Sequence, residues 1–374
     1  MYEVFCLTPI KTEHRTAADP WKYLEKQGKV KMRYGEFRLF HQFQWILRGK
    51  DNSPLSRIFR NIWYLAVLLV SRDRIVLFGS EPNRIMALIA NRLKARHRCC
   101  YVGSWPWECE EFRYGWLGPL YRRIWRRFFE GTVCVSMTRP AADALTSWGA
   151  RAFYIPWSVD THVFRPAEDR PAREAVCVLF VGELCELKGI RVILSAIRSS
   201  KWLNIRFVFV GRGRLEAEIR RAAEEGHPVE LRSFIRNPPE MVRVMQDSDM
   251  LILPSIRLRG MEEKFGMVLI EAMACGLPVI ASDCIGPRRV VEHGRDGILI
   301  PQNDEVALRE AIFTLAKDPE RRMEMGRNGR RKAVEQYDLK NLASKWLEVI
   351  ETLARPEAPG LVSMESCKPG SAAV

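Results

Sequence analysis

The sequence predicts an α/β protein built from two doubly wound domains, each a parallel sheet covered by helices. Three observations lead there. The chain has 374 residues, against a usual domain size of about 150. Short apolar runs alternate with amphipathic stretches along its length, the order expected of strands and helices in a parallel sheet. The alternation stops at 161–175, a polar stretch with two prolines and both charge signs, and then restarts, as it would across a linker.

In the first half, strands are expected at 2–7, 74–78, 99–102, 133–136 and 152–155, with helices around 18–27, 55–70, 83–95, 117–129 and 140–148. The stretch 31–51 carries no clear period. In the second half, strands are expected at 175–182, 205–210, 229–234, 250–253, 278–281 and 297–300. The matching helices are expected at 189–199, 215–225, 239–246, 266–274, 288–293, 305–317 and 319–337. This sets domains at 1–165 and 166–337, a helix at 338–355 crossing back to the first domain, and a small, polar tail at 356–374 expected to be disordered. Two such sheets facing each other would leave a crevice between them, at the carboxyl ends of their strands, where ligands of open α/β sheets bind.

Composition narrows the function. Hydrophobic residues make up 47% and charged residues 28%, which excludes a wholly disordered chain. The net charge of +14 is uneven: residues 1–165 hold 27 basic and 14 acidic side chains, and residues 166–374 hold 32 and 31. A basic first half suggests an anionic partner there. The ten cysteines form no CxxC pair and stand at no zinc spacing. The one Asp-x-Asp string, Asp247-Ser248-Asp249, runs directly into the apolar strand expected at 250–253, and no metal site is expected. The opening MYEVFCLTPIKTEH turns polar too soon for a cleaved leader. The longest apolar run, 62–70, has nine residues, where a membrane span needs about 20. A cytoplasmic location is expected.

Two strands end in glycine-bearing loops: LFVGELCELKG, with Gly182, Lys188 and Gly189, and FVFVGRGRLEAEI, with Gly211, Arg212 and Gly213. Glycine after a strand allows close backbone approach to an anion, and the next helix start presents N–H groups to a phosphate. Taken singly, each loop reads equally well as an ordinary strand-to-helix turn. More specific is LILPSIRLRGMEEKFGMVLIEAMACGLPVIASDCIGP. A loop carrying Arg257, Arg259, Glu262, Glu263 and Lys264 leads through Phe265 into a helix opened by Gly266, apolar apart from Glu271. A lone carboxylate on such a helix is costly unless it has a partner. It would suit the two adjacent hydroxyls of a ribose, while the N–H groups of Gly266, Met267 and Val268 would suit a phosphate. Otherwise Glu271 pairs with a structural arginine and Glu263 is a solvated loop charge.

The string EKFGMVLIEAMACGLPVIA, with Glu263 and Glu271 eight apart, resembles the E-x7-E signature of the retaining nucleotide-sugar glycosyltransferases of family 4. VGELCELKG, VGRGRLEAEI and DSDMLILPS precede it in that family's order, and Asp160, Phe164 and Pro166 resemble the end of the family's first domain. The resemblance implies the GT-B fold, two Rossmann-like domains with a cleft between them. It also implies roles. Lys188 would contact the donor diphosphate, Glu271 the ribose and Glu263 the transferred sugar, so that Glu263 and Lys188 are the catalytic candidates. Gly182, Gly211, Arg212, Phe265, Gly266, Met267 and Val268 would complete the donor site, with the segment 233–236 near the base. The chain departs from the pattern in three places. Glu183 stands where arginine is common, and Arg289 where glutamate is usual. LTPIKTEHRT replaces a glycine-rich first loop, and Ser104, Trp105 and Glu108 occupy the region of an acceptor-side histidine.

The run 115–131, GWLGPLYRRIWRRFFEG, places Arg122, Arg123, Arg126 and Arg127 on one side of a helix. With Trp125 they form a candidate patch for an anionic membrane surface or a lipid-linked acceptor, or else a solvated helix face. Nucleic-acid binding rests on charge alone and is not expected. The expectation is a retaining transferase from a nucleotide-sugar to a surface glycan or lipid-linked acceptor, without bound cofactor or metal, either free in the cytoplasm or peripheral on the inner face of the membrane. The alternative is a weak or inactive GT-B protein that binds a nucleotide-sugar or a protein partner.

Overall fold

A computed structural model describes residues 1–6, 19–34, 66–79, 84–103, 118–169, 174–258 and 261–355. Most of the helix expected at 55–70, most of 31–51, Ser104, Trp105, Glu108, Arg259 and the tail 356–374 lie outside these residues. The chain divides into two compact units: Met1–Pro9, Lys31–Tyr154 and Leu347–Val374 in one, Ile10–Val30 and Ile155–Trp346 in the other.

The sheet of the first unit contains β1 (Tyr2–Cys6), β2 (Val30–Tyr34), β3 (Ile75–Phe78), β4 (Arg98–Val102), β5 (Val133–Ser136) and β6 (Arg151–Tyr154), ordered β2-β1-β3-β4-β5-β6. The pairs β1–β3, β3–β4, β4–β5 and β5–β6 are parallel. Strand β2 had no counterpart among the sequence expectations. Its period is nevertheless present: Val30 and Met32 are buried while Lys31 and Arg33 are exposed. Helices α2 (Arg84–Lys94), α3 (Gly118–Phe129) and α4 (Arg139–Ser147) follow β3, β4 and β5. On α3, Trp125, Phe128 and Phe129 are three and four residues apart and so share one face. That face is core: Trp125 is 1% exposed, stacked on Phe129 at 5.6 Å and edge-on to Tyr101 at 6.4 Å. Trp125 therefore leaves the surface patch in which the sequence reading placed it. Lys94 donates to the Phe128 carbonyl at 2.9 Å, a cation at the end of α3 where the helix carbonyls lack partners.

The second unit begins with α1 (Pro20–Lys26), capped by the Asp19 carboxylate, which accepts from the Trp21 N–H at 2.9 Å. Its sheet comprises β7 (Val176–Val181), β8 (Ile205–Val210), β9 (Val229–Arg232), β10 (Met250–Leu253), β11 (Val279–Ser282) and β12 (Gly297–Ile300). All five pairings are parallel, in the order β12-β11-β10-β7-β8-β9. Read from β9, this is the doubly wound 3-2-1-4-5-6 order, whose winding reverses between β7 and β10. The strands VCVLFV and MLIL are near-continuous apolar runs, as strands covered on both faces must be. The covering helices are α5 (Ile190–Arg198), α6 (Glu216–Glu224), α7 (Pro238–Gln246), α8 (Met267–Ala274), α9 (Pro287–Val290), α10 (Glu305–Lys317), α11 (Pro319–Tyr337) and α12 (Leu339–Ala354). The division between the units runs through α12. Helix α9 is shorter than the expected 288–293, because His293 has turned into a parallel bridge with Gly297.

One arginine ties distant pieces of the second unit together. Arg330 on α11 donates to the carbonyls of Thr161, Phe164 and Ala274 at 3.1, 2.9 and 2.8 Å. It thereby anchors the chain entering the unit and supplies a cation at the C-terminal end of α8, a favourable place for one.

Candidate donor site

Residues that follow β7 and β10 meet where the winding of the second sheet reverses. Strand β7 ends at Val181, and the chain passes Gly182 and Glu183 into a single 3-10 turn, Glu186–Lys188. Gly189 then adopts φ 73° before α5 begins. A side chain there would be strained by that backbone and would overlap the Pro254 carbonyl at the end of β10. The turn is held against the β10 loop by Ile256 N–H, which donates to the Leu187 carbonyl at 2.9 Å. A Cβ at Gly211 would overlap the Gly182 carbonyl, so the loops after β7 and β8 also touch backbone to backbone.

This arrangement joins Lys188 to Glu263 across 75 residues of sequence. The Lys188 ammonium forms an ion pair with the Glu263 carboxylate, and the two side chains are 24% and 13% exposed. Glu263 is itself fixed from the far side. Gly286 N–H donates to its carbonyl at 2.9 Å, and Ile285 N–H donates to the Glu262 carboxylate at 3.0 Å. Glu262 thus anchors the loop, a role its sequence neighbourhood did not signal.

Gly266, at φ 84°, then starts α8. The N–H groups of Met267 and Val268 sit in the first turn, where a helix has no acceptors of its own to offer them. The Phe265 ring lies edge-on to buried Tyr337 at 6.0 Å. Glu271 follows on α8, partly buried, and no ion pair or side-chain hydrogen bond engages its carboxylate among the described residues. Burial alone pushes its pKa up from 4.5 to about 7. Among the described residues, then, no arginine is seen to pair with Glu271.

Two strands further along the sheet, the Arg212 guanidinium lies over the Phe234 ring at 5.2 Å, and Phe234 is 49% exposed. A cavity of about 500 Å³ opens beside Phe234, between the end of β9 and α7. Phe234 falls within the segment 233–236 that the resemblance sets near the base, and its sequence signal is a lone aromatic in the polar loop LRSFIRNPPE. Glu183, Arg257 and Arg289 are exposed. In the first unit, Arg122, Arg123, Arg126 and Arg127 are all exposed on α3, as is Leu120 at 51%.

The model of the glycosyl transferases group 1 family matches residues 165–332. The match covers 168 of the 374 residues, all of them in the second unit. The matched segment contains the whole candidate site. Phosphatidyl-myo-inositol mannosyltransferase of Mycobacterium leprae is 33% identical over 241 residues, 62% of this chain and 62% of that protein. O-antigen chain mannosyltransferase C of Escherichia coli is 28% identical over 248 residues, 63% of this chain and 65% of that protein. A D-inositol 3-phosphate glycosyltransferase of Pseudarthrobacter chlorophenolicus is 28% identical over 205 residues, 50% of this chain and 48% of that protein. The chain thus spans between about half and just under two thirds of the length of these relatives. Among solved structures, HepE of Anabaena in complex with UDP superposes with a TM-score of 0.64 at 16% identity, covering 94% of this chain and 100% of that one. A glycosyltransferase of Rickettsia africae reaches 0.69 at 15%, covering 95% and 99%. At these identities the likeness establishes the fold, which for the matched segment and the sheet before it is GT-B.

The raised pKa of Glu271 has a testable sign. The folded state holds the proton more tightly than the unfolded chain, so stability is lost as pH rises from 4.5 through about 7. Glu271→Gln removes that penalty. We expect the variant to be more stable than the parent above pH 7, by no more than about 3 kcal/mol, with the difference vanishing below 4.5. Urea melts at a series of pH values measure it.

Proposed function

We propose that this protein transfers a sugar from a nucleotide-sugar donor to a hydroxyl of a surface glycan or lipid-linked acceptor, with retention at the anomeric carbon. The observation carrying this reading is the convergence of Lys188, Glu263 and the start of α8 at the reversal of the second sheet, with Glu271, unpaired among the described residues, further along α8. In this assignment the Lys188 ammonium and the N–H groups of α8 receive the donor diphosphate. Glu271 accepts from the two ribose hydroxyls, and Glu263 from hydroxyls of the sugar. The Phe234 and Arg212 pair offers a flat surface at the base end. The relatives named above support the substrate class: they are named for mannose transfer to phosphatidyl-myo-inositol and to O-antigen chains, and HepE holds UDP.

In the step itself, the bond between the anomeric carbon and the diphosphate oxygen breaks. A bond to the acceptor oxygen forms on the same face, and the departing phosphate takes the acceptor proton. The protein positions the partners and stabilises the charge on the leaving diphosphate. No protein nucleophile, metal or bound cofactor is assigned a part. The test is incubation with UDP-, GDP- and ADP-sugars and lipid extract, with detection of nucleoside diphosphate release and of the anomer formed. Release with a retained anomer supports the reading; nucleotide binding without any turnover favours a protein that only binds the donor.

The exposed arginines of α3 are assigned to an anionic membrane surface, with Leu120 beside them and Trp125 excluded. No described helix is long and apolar enough to cross a membrane. Each basic residue near such a surface contributes about 1 kcal/mol. Replacing Arg122, Arg123, Arg126 and Arg127 by glutamine should therefore weaken binding to phosphatidylglycerol vesicles by up to about a thousandfold, and leave phosphatidylcholine vesicles unaffected. Co-sedimentation reads the difference; equal loss on both lipids contradicts the assignment.

A further inference from the structure

We infer that Glu263, besides meeting the donor sugar, is the group that discriminates the intact donor from the spent nucleoside diphosphate and drives the latter out. The inference rests on the donor site proposed above. Its basis is that Lys188 and Glu263 form a partly buried ion pair with each other. Any phosphate that reaches the Lys188 ammonium must compete with a carboxylate one salt-bridge length away, carried on an anchored residue. Its own backbone is tied to Gly286, and the neighbouring Glu262 to Ile285.

The two ligands settle this competition differently. A nucleotide-sugar brings two things at once: diphosphate oxygens for Lys188 and sugar hydroxyls that donate to Glu263. Both ions of the broken pair then have new partners, so neither is stranded in a partly buried site. After transfer the sugar is gone. The terminal phosphate carries an extra negative charge and offers no hydroxyl to the carboxylate. It now faces Glu263 as a like charge at short range, where solvent screens poorly. Re-forming the Lys188–Glu263 pair removes that repulsion and displaces the product. The same carboxylate thus favours substrate through hydrogen bonds and disfavours product through charge.

The test uses the full chain and titration calorimetry. UDP, GDP and ADP are compared with UDP-glucose, GDP-mannose and ADP-glucose, and the nucleotide that binds the parent is carried forward. Glu263→Gln keeps the shape and removes the charge. We expect its affinity for the nucleoside diphosphate to rise about tenfold, a change of about 1.4 kcal/mol, and its affinity for the nucleotide-sugar to stay level or fall. Diphosphate affinity that is unchanged or weaker in a variant that still melts cooperatively overturns the inference. Should Glu263→Gln alone fold poorly, Lys188→Met is compared with Lys188→Met/Glu263→Gln, in which no ion is stranded. The double variant must then bind the diphosphate more tightly, and equal binding overturns the inference. A parent protein that binds neither ligand overturns the donor site itself, and the inference with it.

Discussion

Lys188→Met should lower sugar transfer by a factor of about 10² to 10³, the usual loss when one preorganised group is withdrawn from developing charge. The ammonium is a cation that the fold delivers to the reversal point between β7 and β10, and in the proposed reaction charge accumulates on the leaving diphosphate. The substitution also strands the Glu263 carboxylate, which is only 13% exposed, so some stability is lost as well. The two effects separate in the double variant Lys188→Met/Glu263→Gln. Removing both ions restores the melting temperature, because no charge remains without a partner. Turnover stays low, because nothing replaces the ammonium. Recovery of activity together with stability would show that Lys188 serves the fold rather than the reaction.

The second large effect concerns a different ion pair. Asp296 is 1% exposed and pairs with Lys332 of α11, while its other carboxylate oxygen accepts from the Glu292 N–H at 2.8 Å. Lys332 also donates to the Val290 carbonyl at 3.1 Å. The pair therefore fastens the end of α9 and the turn into β12 onto α11. Asp296→Ala leaves a partly buried ammonium without its counter-ion and a backbone N–H without its acceptor. The expected cost is about 3–5 kcal/mol, read as a fall in the urea midpoint. The same turn follows the segment whose Ile285 and Gly286 amides hold Glu262 and Glu263. Weaker donor binding is thus expected to accompany the loss of stability. Lys332→Met/Asp296→Leu, which replaces both ions by apolar groups, should recover much of the lost stability.

The parts of this molecule that were legible in its sequence are those governed by local period and spacing. The strands at 133–136, 205–210, 250–253 and 297–300 and the helices at 305–317 and 319–337 stand where apolar alternation and helix caps put them. Glu271 was legible because a single carboxylate on an apolar helix is conspicuous, and Lys188 because it closes a loop after a strand. That Lys188 and Glu263 touch was not legible. It follows from the sheet order, which seats β10 beside β7 rather than beside β9, and strand order is a long-range property. Trp125 was misplaced because four arginines around it suggested an outward face; the partners that bury it, Tyr101 and Phe129, come from packing. The Asp296–Lys332 pair and the three-carbonyl grip of Arg330 had no sequence signal, since each joins a surface-like charged residue to a segment remote in sequence.

The central claim is that the second unit holds a nucleotide-sugar through Glu271 and Lys188. Thermal melting with UDP-, GDP- and ADP-sugars, carried out on the parent and on Glu271→Ala, tests it most directly. The account predicts that at least one of these donors raises the melting temperature of the parent and that the rise disappears in the variant. A rise of the same size in both proteins, or none with any donor, would contradict it.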